Sequence, residues 1–252
     1  MRLGVVGLIP SAFATVDDAL ARHIRDSGFE GVGAHLTGDP LAASWEACQH
    51  MATVLRAHDI QLVQFWGWYP SIVTDDESVR MAGVRAVQEV IKIGAQIGAQ
   101  MIGVRPTSMS TAGPWSPDGA NYAPATEDRL VKSLQEIVTA CEGEGLPIAL
   151  ECHVTTTLYS PEVVRRIVER VGSRWVKVNL DVVNFVNDLP TAYHNSGLIN
   201  RVFDVLGPYL ATAAHIKDVM VEDKHVVHIS ECVPGTGTLD FDTLFSRLQA
   251  HM

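Results

Sequence analysis

Paired cysteines, basic stripes and long apolar runs are all missing from this chain. No C-x-x-C spacing joins its four cysteines, Cys48, Cys141, Cys152 and Cys232. That removes structural zinc and leaves reduced thiols in a cytoplasmic protein as the expectation. Basic residues are scarce, with 19 Lys and Arg against 29 Asp and Glu and a net charge of −10. Such a balance argues against a nucleic-acid or membrane surface as partner. No run approaches the ~18 apolar residues that span a bilayer. Residues 1–14 imitate a secretory signal, with Ala12 and Ala14 spaced as at a cleavage site, but the apolar stretch is short, carries two glycines and ends in Pro10. It reads as a first buried strand entering a loop. No G-x-G-x-x-G follows that strand, which lowers the case for a doubly wound nucleotide-binding sheet.

What is present is an alternation of short apolar runs and helical patterns. Strands are expected at residues 3–8, 31–36, 60–66, 100–105, 146–151, 175–181 and 210–215, and helices at 16–27, 41–58, 77–98, 127–143, 161–171, 198–206 and from 241 onward. Thr15 is the expected cap of the first helix. Two segments exceed a plain connector: residues 107–126, rich in Ser, Gly, Pro and Asn, and residues 217–238, which alternate like a hairpin around Glu222 and Lys224. The first reads as an active-site loop. Strand–helix alternation implies a parallel sheet. The expected fold is α/β, a (β/α)8 TIM barrel filling residues 1–252 as one domain, with seven units in the sequence and the eighth missing. A barrel needs that last unit, so the natural protein is expected to run on into a short strand.

Three polar residues close strands in the second half: Glu151, Asp181 and His215. A parallel barrel delivers all its strand ends to one face, where catalysis sits. Two carboxylates and an imidazole there make a mixed O/N site for a divalent cation with positions open to substrate. The plain alternative is that both acids cap the following helices and His215 is a buried, hydrogen-bonded histidine.

The motifs Ala149-Leu-Glu-Cys-His153, Val178-Asn-Leu-Asp-Val-Val-Asn184, Ala214-His-Ile-Lys-Asp218 and Pro234-Gly-Thr-Gly-Thr-Leu-Asp-Phe241 carry a resemblance. The chain resembles the sugar phosphate isomerase/epimerase family, which shares its xylose-isomerase-like TIM barrel with AP endonucleases. The resemblance implies metal ligands at Glu151, Asp181 and His215, with Mn²⁺ first and Mg²⁺, Co²⁺ or Zn²⁺ as alternatives. It also implies a fourth ligand, a Glu after strand eight, which this sequence does not reach. The implied activity is isomerisation or epimerisation of a keto sugar or related polyol, by proton removal α to a metal-bound carbonyl. A lyase or dehydratase acting on a keto-inositol or a 3-keto-glycoside shares the first half of that pathway. AP endonuclease chemistry fits less well: Asn184 stands where that group has a histidine, and Ile229-Ser-Glu-Cys lacks its Asp-x-His pair. A non-catalytic subunit is the remaining class. The expected partner is a small sugar, and a homodimer is left open.

Glu151 is the acid/base candidate, because a ligand carboxylate can still face a substrate C–H. His153, two residues on, shares its strand parity and either relays a proton or braces a ligand. Arg105 closes the fourth strand, to clamp a substrate oxygen or to pair with a carboxylate. Lys217, two after His215, carries the same two readings. Trp66, Trp68 and Trp115 offer flat apolar faces to a sugar or pack as ordinary lids. His35 ends the second strand, in the pocket or as a structural histidine. Asn184 binds a hydroxyl or shapes a turn. Glu231 reads as a solvated hairpin charge that could approach the metal.

Overall fold

The computed structural model describes residues 2–251. Seven strands form one sheet in chain order: β1 (Gly4–Val6), β2 (Gly31–Leu36), β3 (Gln61–Gly67), β4 (Met101–Val104), β5 (Ile148–Glu151), β6 (Val176–Leu180) and β7 (Leu210–Ala214). Pairing is parallel, with Gly4 opposite Gly31, Gln64 opposite Met101 and Val178 opposite Leu210. No eighth strand joins this sheet among the described residues. The hairpin read from residues 217–238 is there: β8 (Asp218–Val221) and β9 (Ile229–Cys232) pair antiparallel with each other.

Helices α1 (Asp18–Asp26), α2 (Trp45–Ala57), α3 (Glu77–Ile97), α4 (Pro124–Glu144), α5 (Pro161–Val171), α6 (Leu189–Tyr193), α7 (Ser196–Leu206) and α8 (Phe241–His251) fill the connections. Side-chain caps set the starts of α1, α2 and α3, since the first turn has N–H groups with no partner inside the helix. Asp17 accepts from Leu20 N–H, Ser44 from Ala47 N–H and Asp76 from Ser78 and Val79 N–H. Two sequence expectations shift here. Thr15 closes a 3-10 turn, Phe13–Thr15, and the helix waits for Asp17. The second helix starts at Trp45, because Pro40–Ala42 is a separate turn under Asp39. A larger correction concerns β1. Expected to be buried, it leaves Val6 49% exposed, with Leu3 just before it at 65%. It is the terminal strand of the sheet and pairs only with β2.

The chain folds as two compact units. The first holds the chain up to Val104 with Lys132–Ala149 and Ser173–Val176. Its interior includes Phe65, Ile91, Ile102, Leu134 and Ile148, all fully buried, and each such side chain adds ~1.5–3 kcal/mol on leaving water. Arg80 is buried among them and ties α3 to α4. Its Nε and Nη2 grip Glu77 at 2.7 Å each, Nη1 and Nη2 reach Glu136 at 2.8 and 3.0 Å, and Nη1 donates to Ser133 at 2.9 Å. All five guanidinium donors are thereby used. Gly103 lies flat under the Trp66 indole, where a Cβ would stand 2.2 Å from the ring.

The second unit holds Arg105–Val131, Leu150–Gly172 and the chain from Lys177 onward. Asp218 organises its hairpin end. One oxygen accepts from Val219 N–H at 2.8 Å and Leu239 N–H at 3.0 Å, the other from Gly235 N–H at 2.9 Å and Gly237 N–H at 2.7 Å. Burial alone would raise its pKa, but the four backbone donors outweigh that and hold the carboxyl below its ordinary value. A Cβ on Gly237 would come within 2.3 Å of Val219 O. The Gly-Thr-Gly segment is thus wrapped around one carboxylate.

Candidate metal centre

Glu151 is the last residue of β5, while Asp181 and His215 each follow the last residue of β6 and β7. The apolar runs before Glu151 and Asp181 are buried, with Ile148, Ala149, Leu150 and Val178 at 0% exposure, while β7 before His215 buries only Leu210. Burial of those runs fixes strand register, and register aims the terminal side chains. All three lie in the second unit. One ligand atom from each falls within 4.8 Å of the others. His215 Nδ1 stands 3.7 Å from Glu151 Oε1 and 3.7 Å from Asp181 Oδ2. Atoms bound to one ion at about 2.1 Å stand closer than about 4.2 Å apart, so both spacings are within reach of a shared ion.

The three differ in access: the Asp181 side chain is 1% exposed, Glu151 14% and His215 18%. Both Asp181 oxygens are buried without accepting a hydrogen bond among the described residues. Their charge is met by the Lys217 ammonium, an ion-pair partner 3.0 Å from Oδ2. Burial disfavours a charged His215, but Asp181 and Glu151 outweigh it and lift the imidazole to about 9. The Asn179 amide nitrogen lies 3.0 Å from the same Nδ1. Asn179 and Asp181 share a face of β6 by parity, a signal present in the sequence and passed over there.

Lys217 is held by three oxygens. Besides its ion pair with Asp181 it donates to Asn184 Oδ1 at 3.2 Å and to Glu231 Oε1 at 2.7 Å. Burial works against its charge, and Asp181 and Glu231 raise its pKa above the ordinary lysine value in spite of it. Asn184, Lys217 and the hairpin residue Glu231 therefore join the triad in one cluster.

His153 faces a second set of neighbours. Its Nδ1 lies 2.7 Å from the Thr155 hydroxyl, which is 2.9 Å from Trp115 O, and the Trp115 ring meets it edge-on at 5.6 Å. Burial first, then the charge of Lys217, lowers its pKa. The long loop that carries Trp115 is pinned by buried Asn121, which accepts from Met109 N–H and donates to Ser108 Oγ and Thr155 O, each at 2.8 Å. Tyr122 adds a bond to Val154 O at 2.8 Å. Thr107 opens that loop at φ 67°, an uncommon backbone region for a β-branched residue. Arg105 sits half-buried just before it in the same unit. His35 and Trp66 belong to the first unit, where their rings stack at 5.6 Å and 11°; Trp68 is 51% exposed. Sequence reading missed Thr155 and Asn121, and did not pair Glu231, the exposed hairpin charge it expected, with Lys217.

The chain belongs to the family described as the xylose isomerase-like TIM barrel, whose model matches residues 21–251. Solved structures share the fold at low identity. One is 3-keto-D-glucoside 4-epimerase from E. coli, at 19% identity and TM-score 0.69, covering 100% of this chain and 88% of that one. A xylose isomerase-like TIM barrel protein from Mycobacterium smegmatis, in complex with magnesium, gives 17%, 0.72, and 98% and 86% coverage. D-psicose 3-epimerase, in the presence of D-fructose, gives 16%, 0.71, and 99% and 81% coverage. No curated protein matches the chain in sequence. Among the described residues no helix is long and apolar enough to cross a membrane.

Proposed function

We propose that this protein is a divalent-metal-dependent epimerase or isomerase of a keto sugar or related polyol. One observation carries the reading: Glu151, Asp181 and His215 bring ligand atoms within 4.8 Å of one another. Two further points support it. Asp181 is buried with the Lys217 ammonium 3.0 Å from Oδ2 and no neutral hydrogen-bond donor among the described residues, as a carboxylate that faces cations would be. The donor set of two carboxylates and one imidazole suits Mn²⁺ or Mg²⁺, and admits Co²⁺ or Zn²⁺. The activities of the E. coli 3-keto-D-glucoside 4-epimerase and of D-psicose 3-epimerase favour epimerisation over the lyase reading.

A divalent ion held by this triad supplies Lewis-acid polarisation of a substrate carbonyl. The remaining steps belong to side chains. Glu151 removes the proton α to the carbonyl, since its side chain is 14% exposed while that of Asp181 is 1% exposed. His153 has its Nδ1 engaged by Thr155, which leaves Nε2 to meet a substrate hydroxyl. Asn184 and Arg105 orient hydroxyls, and Lys217 keeps positive charge beside the reacting oxygen.

Metal analysis and isotope exchange test the reading together. His215→Ala is expected to lose tight Mn²⁺ or Co²⁺ binding. Glu151→Gln keeps the shape but not the basicity, and is expected to stop exchange of the sugar α-proton in D₂O. Unchanged metal content in the first variant, or wild-type exchange in the second, would sink it.

A further inference from the structure

Glu231 lies on β9, outside the seven-stranded sheet, yet its carboxylate is bonded to Lys217 at 2.7 Å. Lys217 has three N–H donors and three oxygens around it: Asp181 at 3.0 Å, Asn184 at 3.2 Å and Glu231. Two of those come from the loop and turn after β6. The third, 14 residues further along the chain than Lys217, is 58% exposed and approaches from solvent. A lysine beside a sugar site would otherwise present one donor outward, as a point charge ready for phosphate or carboxylate.

We infer that Glu231 is a specificity-determining residue, acting through Lys217 to reserve the site for uncharged sugars and to turn away phosphorylated or carboxylated ones. The inference rests on the reading of the triad as a metal centre for sugars, and it narrows the substrate class of that centre. Charge balance supports it as well as geometry. With a divalent ion on the triad and His215 neutral, the Glu151 and Asp181 carboxylates offset the ion, and Glu231 offsets Lys217. The ion, the triad, Lys217 and Glu231 then sum to no net charge, so Lys217 is not left over as an anion site. Removing Glu231 leaves one positive charge and one donor with no acceptor at the solvent side.

Binding of inorganic phosphate to the metal-loaded protein, followed by calorimetry, tests this without turnover. Phosphate that meets only the metal gives the same baseline in every variant, so differences between variants report on Lys217. Glu231→Gln is expected to bind phosphate at least tenfold more tightly than wild type, with unchanged metal stoichiometry. Glu231→Gln combined with Lys217→Met is expected to fall back to the wild-type value, and Glu231→Asp to lie between. Phosphate affinity within twofold in wild type and Glu231→Gln would overturn the inference. So would a gain that survives loss of Lys217. A fall in metal stoichiometry in Glu231→Gln would overturn it too, because Glu231 would then be a ligand. Failure of the epimerase reading is seen separately, as a lack of α-proton exchange in neutral keto sugars.

Discussion

Single side chains carry more of this molecule than their number suggests, and Asp218 is the clearest case. Its carboxylate accepts four backbone N–H groups from two stretches of chain, Val219 and residues 235–239. Asparagine in its place offers one oxygen and turns an N–H₂ toward two donors. Bonds to a charged acceptor are worth ~1.5–3 kcal/mol each, so Asp218→Asn is expected to cost about 3 kcal/mol in urea unfolding. Its carboxyl is held below its ordinary value in the folded state, so its contribution is full above about pH 4 and lost as pH falls below. Wild-type stability should therefore drop faster than that of the variant on the acid side. Sequence placed Asp218 in a motif without a reason for it. The meeting of Glu151, Asp181 and His215 was more legible, because a polar residue that ends an apolar run announces its face by strand parity. Glu231 and Thr155 could not be found that way. Each matters through a partner brought near by tertiary structure, Lys217 for one and the Trp115 carbonyl, 40 residues away, for the other.

Among the elements, α3 and α4 are joined by the buried guanidinium of Arg80. Arg80→Met removes a fully hydrogen-bonded charge and leaves Glu77 and Glu136 facing each other, an expected loss of about 3 kcal/mol by urea titration. The same contact should show in acid. Hydrogen bonds from Arg80 and then Lys132 hold the Glu77 carboxyl down at about 2. A depressed carboxylate stabilises the fold above its unfolded value near 4.5, and that help disappears as pH falls toward 2. Glu77→Gln should flatten the pH dependence of the unfolding midpoint between those limits; an identical slope would rule the contact out as its source. Element boundaries were legible where capping chemistry was local. The sequence predicts α5 at residues 161–171, and it is found there because Ser160 caps it, Pro161 opens it and Gly172 stops it in the left-handed region. The five-residue α6 escaped, being too short to show a period, and is held by Asp188 accepting from Thr191 N–H. β1 misled because an apolar run says nothing about whether both of its sides are paired.

At the scale of the whole molecule, Lys217 has a consequence for how the protein exchanges ions. A buried carboxylate abandoned by its cation costs several kcal/mol, and a fold built that way collapses under chelation. Here an ammonium already stands 3.0 Å from Asp181, an internal counter-ion that stays when the metal goes. EDTA treatment is therefore expected to lower the melting temperature by only a few degrees while leaving one cooperative transition. Lys217→Met should suffer a visibly larger drop on the same treatment, and equal drops would refute the idea. On the proposed metal reading the centre would be stripped and reloaded without unfolding, which would make ion identity a matter of supply and affinity rather than of folding history.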